Sequence, residues 1–452
     1  MNLQNKKISI VGGGLVGSLL SIYLKKQGAL VSVFDKRSDI RKDLNISGRS
    51  INLALSDRGI RALKKIGLSN EVMKIAMPMY NRMIHSVEGE LTIQNYGTEG
   101  QSIFSISRKE LNAKLIDIAE RSHVGFYFNQ ECQDINFDTS TLSFSNSKNF
   151  KSDFIFGADG AGSVVRKMMN KSFDDMEMNE SYINHGYKEL TIPCGFGGKH
   201  KLVKDSLHIW PRKSFMVIAL PNLDGSFTCT LFAPLKGSNS FGSLLNKTDV
   251  DQFFSKYFDD LHQLIPDLSC QYFNNPTSSL GFVRCSTWKK KNTILIGDAC
   301  HATVPFYGQG MNAGFEDCFL LNQWLDTYHD LTCNSFYDFL DKRIQNTCAM
   351  QDLSMDNYIE MRDKTANNFF LTQKKIEQWF SSIYPEKWLP LYSMVTFSHI
   401  DYSLAIKMGK VQDKIMKKIM KNNNITSSFD VVEMEQKNID KKILKELKNL
   451  PL

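Results

Sequence analysis

KISIVGGGLVGSLLSIYLKKQG (residues 7–28) is the stretch from which the fold follows. Its first five residues are an apolar, β-branched run, and three glycines come directly after them. The apolar residues beyond Gly17 then recur at helical spacing until Gly28. A second run of strand type, ALVSVFD, ends at Asp35. This order predicts a strand, a tight turn, a helix and a second strand, the opening unit of an α/β domain.

The glycines of this turn carry the first functional signal. Gly12, Gly14 and Gly17 match the GxGxxG spacing where a strand opens into a helix, which is the context that the motif requires. Glycines let the backbone approach a pyrophosphate, and the helix N-terminus offers it free N–H groups. Asp35 follows at the distance where a carboxylate can accept hydrogen bonds from a ribose. The motif predicts a Rossmann-like dinucleotide site, but it does not separate FAD from NAD.

Bulk composition narrows the class of protein. The 452 residues are 42% hydrophobic, so a large core is expected and wholesale disorder is not. The net charge of +7 is spread thinly, which gives little support to nucleic-acid binding and also fits a site for phosphates or carboxylates. Nine scattered cysteines without metal-ligand spacing indicate reduced thiols, no metal site and a cytoplasmic protein. The sequence has no run of 18 apolar residues, so no membrane-spanning helix is predicted. For the lysine-rich C-terminal helix, packing on the protein body is favoured over contact with a membrane.

Two later motifs extend the nucleotide signal. LIGDACHATVPFYGQGMNAGFEDC (295–318) puts Asp298 after a strand pattern and continues as a glycine-rich loop into a helix beginning near Asn312. Such a loop can direct backbone N–H groups at a flavin and its ribityl chain, and a simple NAD dehydrogenase does not need it. FGADGAGSVVRKMM (156–169) places Asp159 after another strand, although a turn of this type is also common as plain structure. The second loop therefore favours FAD.

The predicted elements divide the chain into regions. Alternating strands dominate the middle of the chain, a buried-strand pattern returns near residue 292, and the end reads as helical. A segment at 81–96 alternates like the strands of a hairpin. The prediction is a Rossmann-like FAD-binding domain (1–174 and 286–335), an inserted β-rich substrate-binding lobe (175–285) and a C-terminal helical region (336–452).

The three motifs, in this order and spacing, resemble those of the single-component aromatic hydroxylases, which are flavoprotein monooxygenases. GRSINLALSDRGIRAL (48–63), LHIWPR (207–212) and LYSMVTF (391–397) sharpen this into a resemblance to the kynurenine 3-monooxygenase family, over nearly the whole chain. The resemblance implies bound FAD, with NADPH and O2 as co-substrates and a C4a-hydroperoxyflavin as the oxygen donor. It also implies hydroxylation of L-kynurenine to 3-hydroxykynurenine in tryptophan degradation. A monomer or homodimer is expected.

The resemblance also implies which residues hold the cofactor. The first motif and Asp35 would bind the ADP half of FAD, and Asp298 would meet the ribityl or pyrophosphate part. The resemblance implies that residues 48–63, called the ribbon, pass along the FAD. For its arginines Arg49 and Arg58 two interpretations stay open: they neutralise phosphate or position the ribbon, or they form a solvated or salt-bridged face. The cofactor-binding residues implied are Gly12, Gly14, Val16, Gly17, Asp35, Lys36, Arg37, Ala54, Arg108, Asp159, Asp298, Gly310, Met311 and Asn312.

Substrate residues follow from the same resemblance. Arg82 would grip the substrate carboxylate through a charge-assisted contact, and an unpaired buried arginine is otherwise costly. Tyr96, Tyr402 and Asn367 would bind the same end of the molecule, although the adjacent Asn368 leaves an ambiguity of one residue. Ile218, Leu220, Phe232, Phe306 and Tyr307 would line an apolar slot for the ring, with ordinary core packing as the alternative for the aromatic residues. His208 and His301 are interpreted as packed histidines rather than bases or metal ligands.

Overall fold

A computed structural model describes residues 3–42, 52–97, 100–360, 368–425 and 431–448. The predicted fold class is confirmed: a Rossmann-like α/β unit, a β-rich lobe and a C-terminal helical region are all present. Up to residue 174 the elements are β1 (Lys7–Val11), α1 (Leu15–Lys26), β2 (Leu30–Phe34), β3 (Asn52–Leu55), α2 (Asp57–Lys65), α3 (Ser69–Met73), β4 (Ala76–Met79), β5 (Asn81–His85), β6 (Leu91–Asn95), β7 (Ile103–Ser107), α4 (Arg108–Arg121), β8 (Gly125–Tyr127), β9 (Cys132–Asn136), β10 (Thr141–Phe144), β11 (Asn149–Lys151), β12 (Phe154–Gly157) and α5 (Val164–Ser172).

The second half of the chain first completes the sheets and then becomes helical. Its elements are β13 (Met178–Ile192), β14 (Ser206–Arg212), β15 (Phe215–Pro221), β16 (Phe227–Pro234), α6 (Lys247–Tyr257), α7 (Asp259–His262), α8 (Leu268–Asn274), β17 (Ser278–Cys285), β18 (Lys289–Lys290), β19 (Thr293–Leu295), α9 (Asp298–His301), α10 (Gly310–Tyr328), α11 (Asn334–Ile359), α12 (Asn368–Ile383), α13 (Leu391–Thr396), α14 (Tyr402–Asn422), α15 (Val431–Gln436) and α16 (Ile439–Lys448). No helix within the described ranges combines the length and apolar character needed to cross a bilayer.

The nucleotide-binding unit is built on a six-stranded sheet in the order β18-β19-β12-β1-β2-β8. All neighbouring pairs are parallel except β18 with β19. Ile8, Ile10 and Val33 are buried, as expected for a parallel sheet covered on both faces. The predicted order of strand, helix and strand is confirmed by β1, α1 and β2. The carboxyl ends of β1, β12 and β19 bring the three motifs to one edge.

The β-rich lobe is a seven-stranded sheet in the order β17-β13-β16-β15-β14-β5-β6. The last two strands at one edge, β5 and β6, form the predicted hairpin at 81–96. β5 pairs in parallel with β14, although the hairpin precedes the predicted start of the lobe at residue 175 by about 80 residues in sequence. This partner could not be read from local pattern, because strand pairing at a distance depends on tertiary packing. The predicted domain limits at 174, 285 and 335 stay a prediction.

The two faces of this sheet have different neighbours. Val217 and Ala219 pack into a core shared with helices α6 to α8. Met216, Ile218 and Leu220 alternate with them and point to the opposite face, because successive side chains of a strand alternate. That opposite face contacts Ala54 of the ribbon strand β3 and Phe306 of the loop before α10. The lobe thus offers one face to its own core and the other to the cofactor loops.

His208 lies in a buried hydrogen-bonded chain beneath the lobe sheet. His85 Nδ1 lies 2.8 Å from Asp260 Oδ2, and His85 Nε2 lies 2.9 Å from His208 Nδ1. His208 Nε2 donates to the Val203 carbonyl at 2.8 Å, and Trp210 stacks on His85 with ring centroids 4.0 Å apart. This arrangement agrees with the interpretation of His208 as a packed histidine.

The same burial makes His208 a source of acid sensitivity. Burial, above all, lowers the pKa of His208 from 6.5 to about 4. Between these values the unfolded chain binds a proton that the folded chain refuses, so stability falls as the pH is lowered through this window. Between pH 7 and pH 5 the loss from this group is roughly 2 kcal/mol. We expect urea unfolding of the wild type to show it and His208→Gln to lose less between the same pH values. Equal losses in both proteins would contradict this origin.

Candidate flavin and substrate site

The glycine-rich turn is packed tightly on one side and open on the other. Gly12 has φ +108°, and a Cβ there would lie 2.4 Å from the Ala158 carbonyl oxygen. A Cβ at Gly17 would lie 1.9 Å from the Gly12 carbonyl oxygen, whereas one at Gly14 would meet no atom within 4 Å in the part of the chain that the structure describes. Gly14 is the N-cap of α1 and makes no side-chain cap. The turn therefore presents an uncovered helix N-terminus, which suits a pyrophosphate.

Asp35 ends β2 beside this turn. Its carboxylate accepts hydrogen bonds from the Gly13 N–H at 2.8 Å and from Arg37 Nε and Nη2 at 3.1 and 2.9 Å. Burial opposes ionisation, but these hydrogen bonds outweigh it and lower the pKa of Asp35. A pocket of about 360 Å³ adjoins the carboxylate, and Lys36 lies exposed next to it. The pocket has the position expected for the adenosine end of a dinucleotide, and it is lined by Gly13, Asp35, Arg37, Ser38, Ile40, Asn112, Ile116 and Phe128.

The two glycine motifs, far apart in sequence, meet at Val16. A Cβ on Gly297 would lie 3.0 Å from a methyl group of Val16, and one on Gly314 would lie 2.6 Å from it. Gly297 has φ +63° and is the N-cap of α9, which Asp298 begins. The absent side chains let α10 and the loop of Asp298 lie against the start of α1. One continuous cradle follows, and its residues fit the FAD that the sequence implied.

The ribbon strand β3 is tied to this cradle by the Asn312 side chain. Its Nδ2 donates to the Ala54 and Gly308 carbonyls, each at 2.8 Å, and its Oδ1 accepts from the Ser56 N–H at 2.9 Å. A Cβ on Gly308 would lie 3.3 Å from the Ala54 Cβ. The Asn312 amide is thus engaged in holding the ribbon. Its neighbours Gly310 and Met311 form the first turn of α10.

The contacts of Arg58 distinguish between the two interpretations that the sequence left open for it. It is fully buried, and its Nη1 lies 2.9 Å from Glu316 Oε1. Its remaining N–H groups donate to the carbonyls of Val395 and Ile400, the former at 3.0 Å. The salt-bridged interpretation therefore describes Arg58, which links the ribbon to the C-terminal helices. Arg49 lies outside the described residues.

A second buried ion pair lies behind residues 296–309, the segment between β19 and α10 that is called the flavin loop. Asp317 accepts from Arg343 Nε at 2.7 Å, from His301 Nε2 at 2.5 Å and from the Gly297 N–H at 3.2 Å. Burial opposes its charge, but His301 and Arg343 lower the pKa of Asp317 to about 2. Arg343 also binds Glu316 at 2.9 Å. His301 is accordingly a packed histidine that braces the loop, as interpreted from the sequence.

The carboxylate of Asp159 is occupied within its own turn. It accepts from the N–H groups of Val164 and Val165 at 2.7 and 3.2 Å and from the Ser163 hydroxyl, and it thereby caps α5. Its backbone lies against Gly12, where a Cβ would come within 2.7 Å of the Asp159 Cα. The backbone of Asp159 and the methyl group of Ala158 therefore adjoin the cradle, whereas the Asp159 carboxylate is directed to α5. Arg108, the first residue of α4, has an exposed side chain, and the cofactor roles of both residues stay predictions.

The predicted carboxylate end of the substrate site is brought together around Arg82. The Arg82 guanidinium carbon lies 5.1 Å from the ring centroid of Tyr96 and 4.6 Å from that of Tyr392. Arg82 Nε and the Tyr96 hydroxyl are buried, and neither has a hydrogen-bond partner among the residues that the structure describes. Such groups are costly to bury unless a ligand satisfies them. The pair fits a carboxylate.

An apolar wall adjoins this end. Phe232 and Phe306 are buried with ring centroids 5.0 Å apart. Ile218 contacts both the cluster of these rings and the cluster of Tyr96 and Leu220. Four of the five residues predicted for the ring slot, Ile218, Leu220, Phe232 and Phe306, thus pack where the lobe sheet meets the loop before α10. Tyr307, which is 9% exposed, packs in a separate cluster with Met350 and Met394.

Two predicted substrate contacts are less simply placed. The Tyr402 hydroxyl donates to Gln309 Oε1 at 3.1 Å, and Arg58 lies 4.0 Å from its ring centroid. Tyr402 thus already has partners behind the flavin loop, and its contact with substrate stays a prediction. Asn367 lies outside the described residues, and Asn368 begins α12 without a described side chain.

Sequence reasoning missed Tyr392. It lies in LYSMVTF, a segment that contributed to the family resemblance but received no role. Its ring stacks on Tyr96 and on Tyr307, with centroids 5.4 and 5.6 Å apart. Periodicity alone gives no sign of this, because the three tyrosines come from different elements.

The comparisons with known proteins define the class first. The FAD binding domain family matches residues 5–215 and 263–328, more than half of the chain. A solved 2-methyl-3-hydroxypyridine-5-carboxylic acid oxygenase is 20% identical with a TM-score of 0.66, covering 80% of this chain and 94% of that one. P. aeruginosa PqsL in complex with 2-aminobenzoylacetate is 15% identical with a TM-score of 0.62, covering 79% and 99%. These likenesses show the fold, and the family match makes the chain a flavoprotein with FAD as its cofactor.

Sequence relatives narrow the class to one family. The relatives are proteins named kynurenine 3-monooxygenase. The one from Flavobacterium johnsoniae is 49% identical to this chain, over 95% of this chain and 97% of the relative. The relative from Dictyostelium discoideum is 42% identical, over 93% and 95%. The relative from Sus scrofa is 41% identical, over 92% and 89%. The chain belongs to the kynurenine 3-monooxygenase family.

Proposed function

We propose that this protein hydroxylates L-kynurenine to 3-hydroxykynurenine, with FAD as bound cofactor and NADPH and O2 as co-substrates. The observation that carries this activity is the buried pair of Arg82 Nε and the Tyr96 hydroxyl, which lack partners among the described residues. An α-amino acid carboxylate satisfies both groups through charge-assisted hydrogen bonds. The adjoining wall of Phe232, Phe306 and Ile218 suits the aniline ring of the same molecule.

FAD, when bound, supplies the electron transfer and dioxygen activation that side chains cannot perform. The residues of this chain bind and orient. Gly14 and the N-terminus of α1 would receive the pyrophosphate, and Asn312 holds the ribbon in register with the flavin loop. Arg82 fixes one end of the substrate, and the apolar wall excludes water from the ring. Because the aniline amine already activates the ring carbon beside it, no side-chain base is required.

NADPH as reductant, and a place in tryptophan degradation, rest on membership of the family. We infer that NADPH reduces the flavin during a transient visit, and that substrate binding accelerates this reduction. A cytoplasmic location and a monomer or homodimer are proposed on the same ground.

The decisive experiment is a product assay with the purified, FAD-loaded protein. NADPH oxidation is expected to rise when L-kynurenine is added, and mass spectrometry is expected to show one added oxygen atom in the product. A panel of other aromatic acids serves as the control, since they should not be hydroxylated in proportion to the NADPH consumed. NADPH oxidation that yields only hydrogen peroxide with L-kynurenine would overturn the proposal.

A further inference from the structure

We propose that Tyr392 is a positioning residue, which holds the Arg82 guanidinium in the orientation that receives the substrate carboxylate. This inference rests on the proposed function and deepens it, because it concerns the same site. It assigns a role to a residue on α13, outside both the flavin cradle and the lobe sheet.

Three rings define the arrangement, named here the tyrosine stack: Tyr96, Tyr392 and Tyr307. The planes of Tyr96 and Tyr392 differ by 15°, and those of Tyr392 and Tyr307 by 17°. The middle ring thus bridges the predicted carboxylate end and the flavin loop. The stack joins residues from near β6, from α13 and from the loop before α10, so its geometry depends on the docking of the C-terminal helices.

The Arg82 guanidinium lies against two rings of the tyrosine stack. A guanidinium is planar, and its N–H donors radiate from its edge while its faces favour aromatic rings. The guanidinium carbon lies 4.6 Å from the ring centroid of Tyr392 and 5.1 Å from that of Tyr96, close enough for the two rings to restrain the group. Nε is buried without a hydrogen-bond partner among the described residues, so this donor is available to a ligand. A charged donor held in this way suits recognition of a carboxylate.

The position of Tyr392 is itself fixed from behind. Arg58 donates to the carbonyl of Val395 at 3.0 Å and contacts that of Met394 at 3.5 Å, both in the same short helix as Tyr392. Arg58 is in turn held by Glu316. A buried ion pair thus anchors α13, and Tyr392 transmits that placement to Arg82.

The test compares a substrate that has the carboxylate with one that lacks it. Tyr392→Leu removes the aromatic face, and we expect KM for L-kynurenine to rise roughly tenfold with kcat changed less than about threefold. For kynuramine, the decarboxylated analogue, kcat/KM should be the same in variant and wild type. Tyr392→Phe keeps the ring and should bring KM back to within about twofold of the wild type. Tyr182→Leu, at a tyrosine that is 70% exposed, is the matched surface control.

A double-variant comparison separates positioning from a merely structural role. If Tyr392 acts through Arg82, Tyr392→Leu should add no further loss of kcat/KM in an Arg82→Ala background. Equal losses for L-kynurenine and kynuramine, or a Phe variant as impaired as the Leu variant, would overturn the inference while leaving the proposed function intact. A wild type that hydroxylates neither compound would instead overturn the proposed function, and the inference with it.

Discussion

Arg82→Ala is expected to lower kcat/KM for L-kynurenine by roughly 100-fold or more, with FAD still bound. The reason is that a buried charge-assisted contact is worth several kcal/mol, and its removal leaves the substrate carboxylate without a counter-charge. Most of the change should fall on KM, because Arg82 would hold a part of the substrate remote from the reacting ring. Steady-state NADPH oxidation and product formation, measured over a range of L-kynurenine concentrations, give both parameters.

Arg82→Lys is the matched variant for this experiment. Lysine keeps the positive charge but lacks the planar fork and the aromatic-facing surface, so only part of the affinity should return. The visible flavin spectrum of both variants should equal that of the wild type, which would show that FAD is still bound. An Arg82→Ala enzyme with unchanged KM would remove Arg82 from the substrate site.

Gly17→Ala should give a protein that has lost FAD binding, with affinity reduced by more than about 100-fold or with no folded protein recovered. The added Cβ would lie 1.9 Å from the Gly12 carbonyl oxygen, and backbone atoms cannot yield to it as a flexible side chain would. Helix α1 must then move away from β1, and the glycine-rich turn loses its shape. Flavin absorbance of the purified protein and FAD titration of the apoprotein measure the effect.

Gly14→Ala separates the fold from the cofactor. A Cβ at this position meets no described residue within 4 Å, so the apoprotein should melt at the temperature of the wild type. If the pyrophosphate approaches the N-terminus of α1 as the motif implies, FAD affinity should still fall.

A Gly17→Ala protein that is yellow and fully active would show that the close approach of helix and strand is not required.

Much of the cofactor half was predictable because its signals are local. Three glycines between a strand and a helix have few physical alternatives, and they lie between β1 and α1 as their spacing predicts. The need for glycine at Gly297 and Gly314 could not be predicted in this way. The side chain that requires it, Val16, lies far away in the sequence and contacts these glycines only in the folded chain. Local pattern suggested a loop there, and tertiary contact explained the residues.

A Rossmann-like unit and the three glycine-containing motifs could be predicted from the residues alone, because backbone freedom and short-range periodicity depend on neighbouring residues. The family-typical segments rested instead on their resemblance to known sequences. Folding, by contrast, joins the hairpin at 81–96 to the lobe sheet, buries Arg58 against Glu316, and places Tyr392 between Tyr96 and Tyr307. These outcomes depend on contacts between residues far apart in the chain, where burial and partner choice are settled by packing.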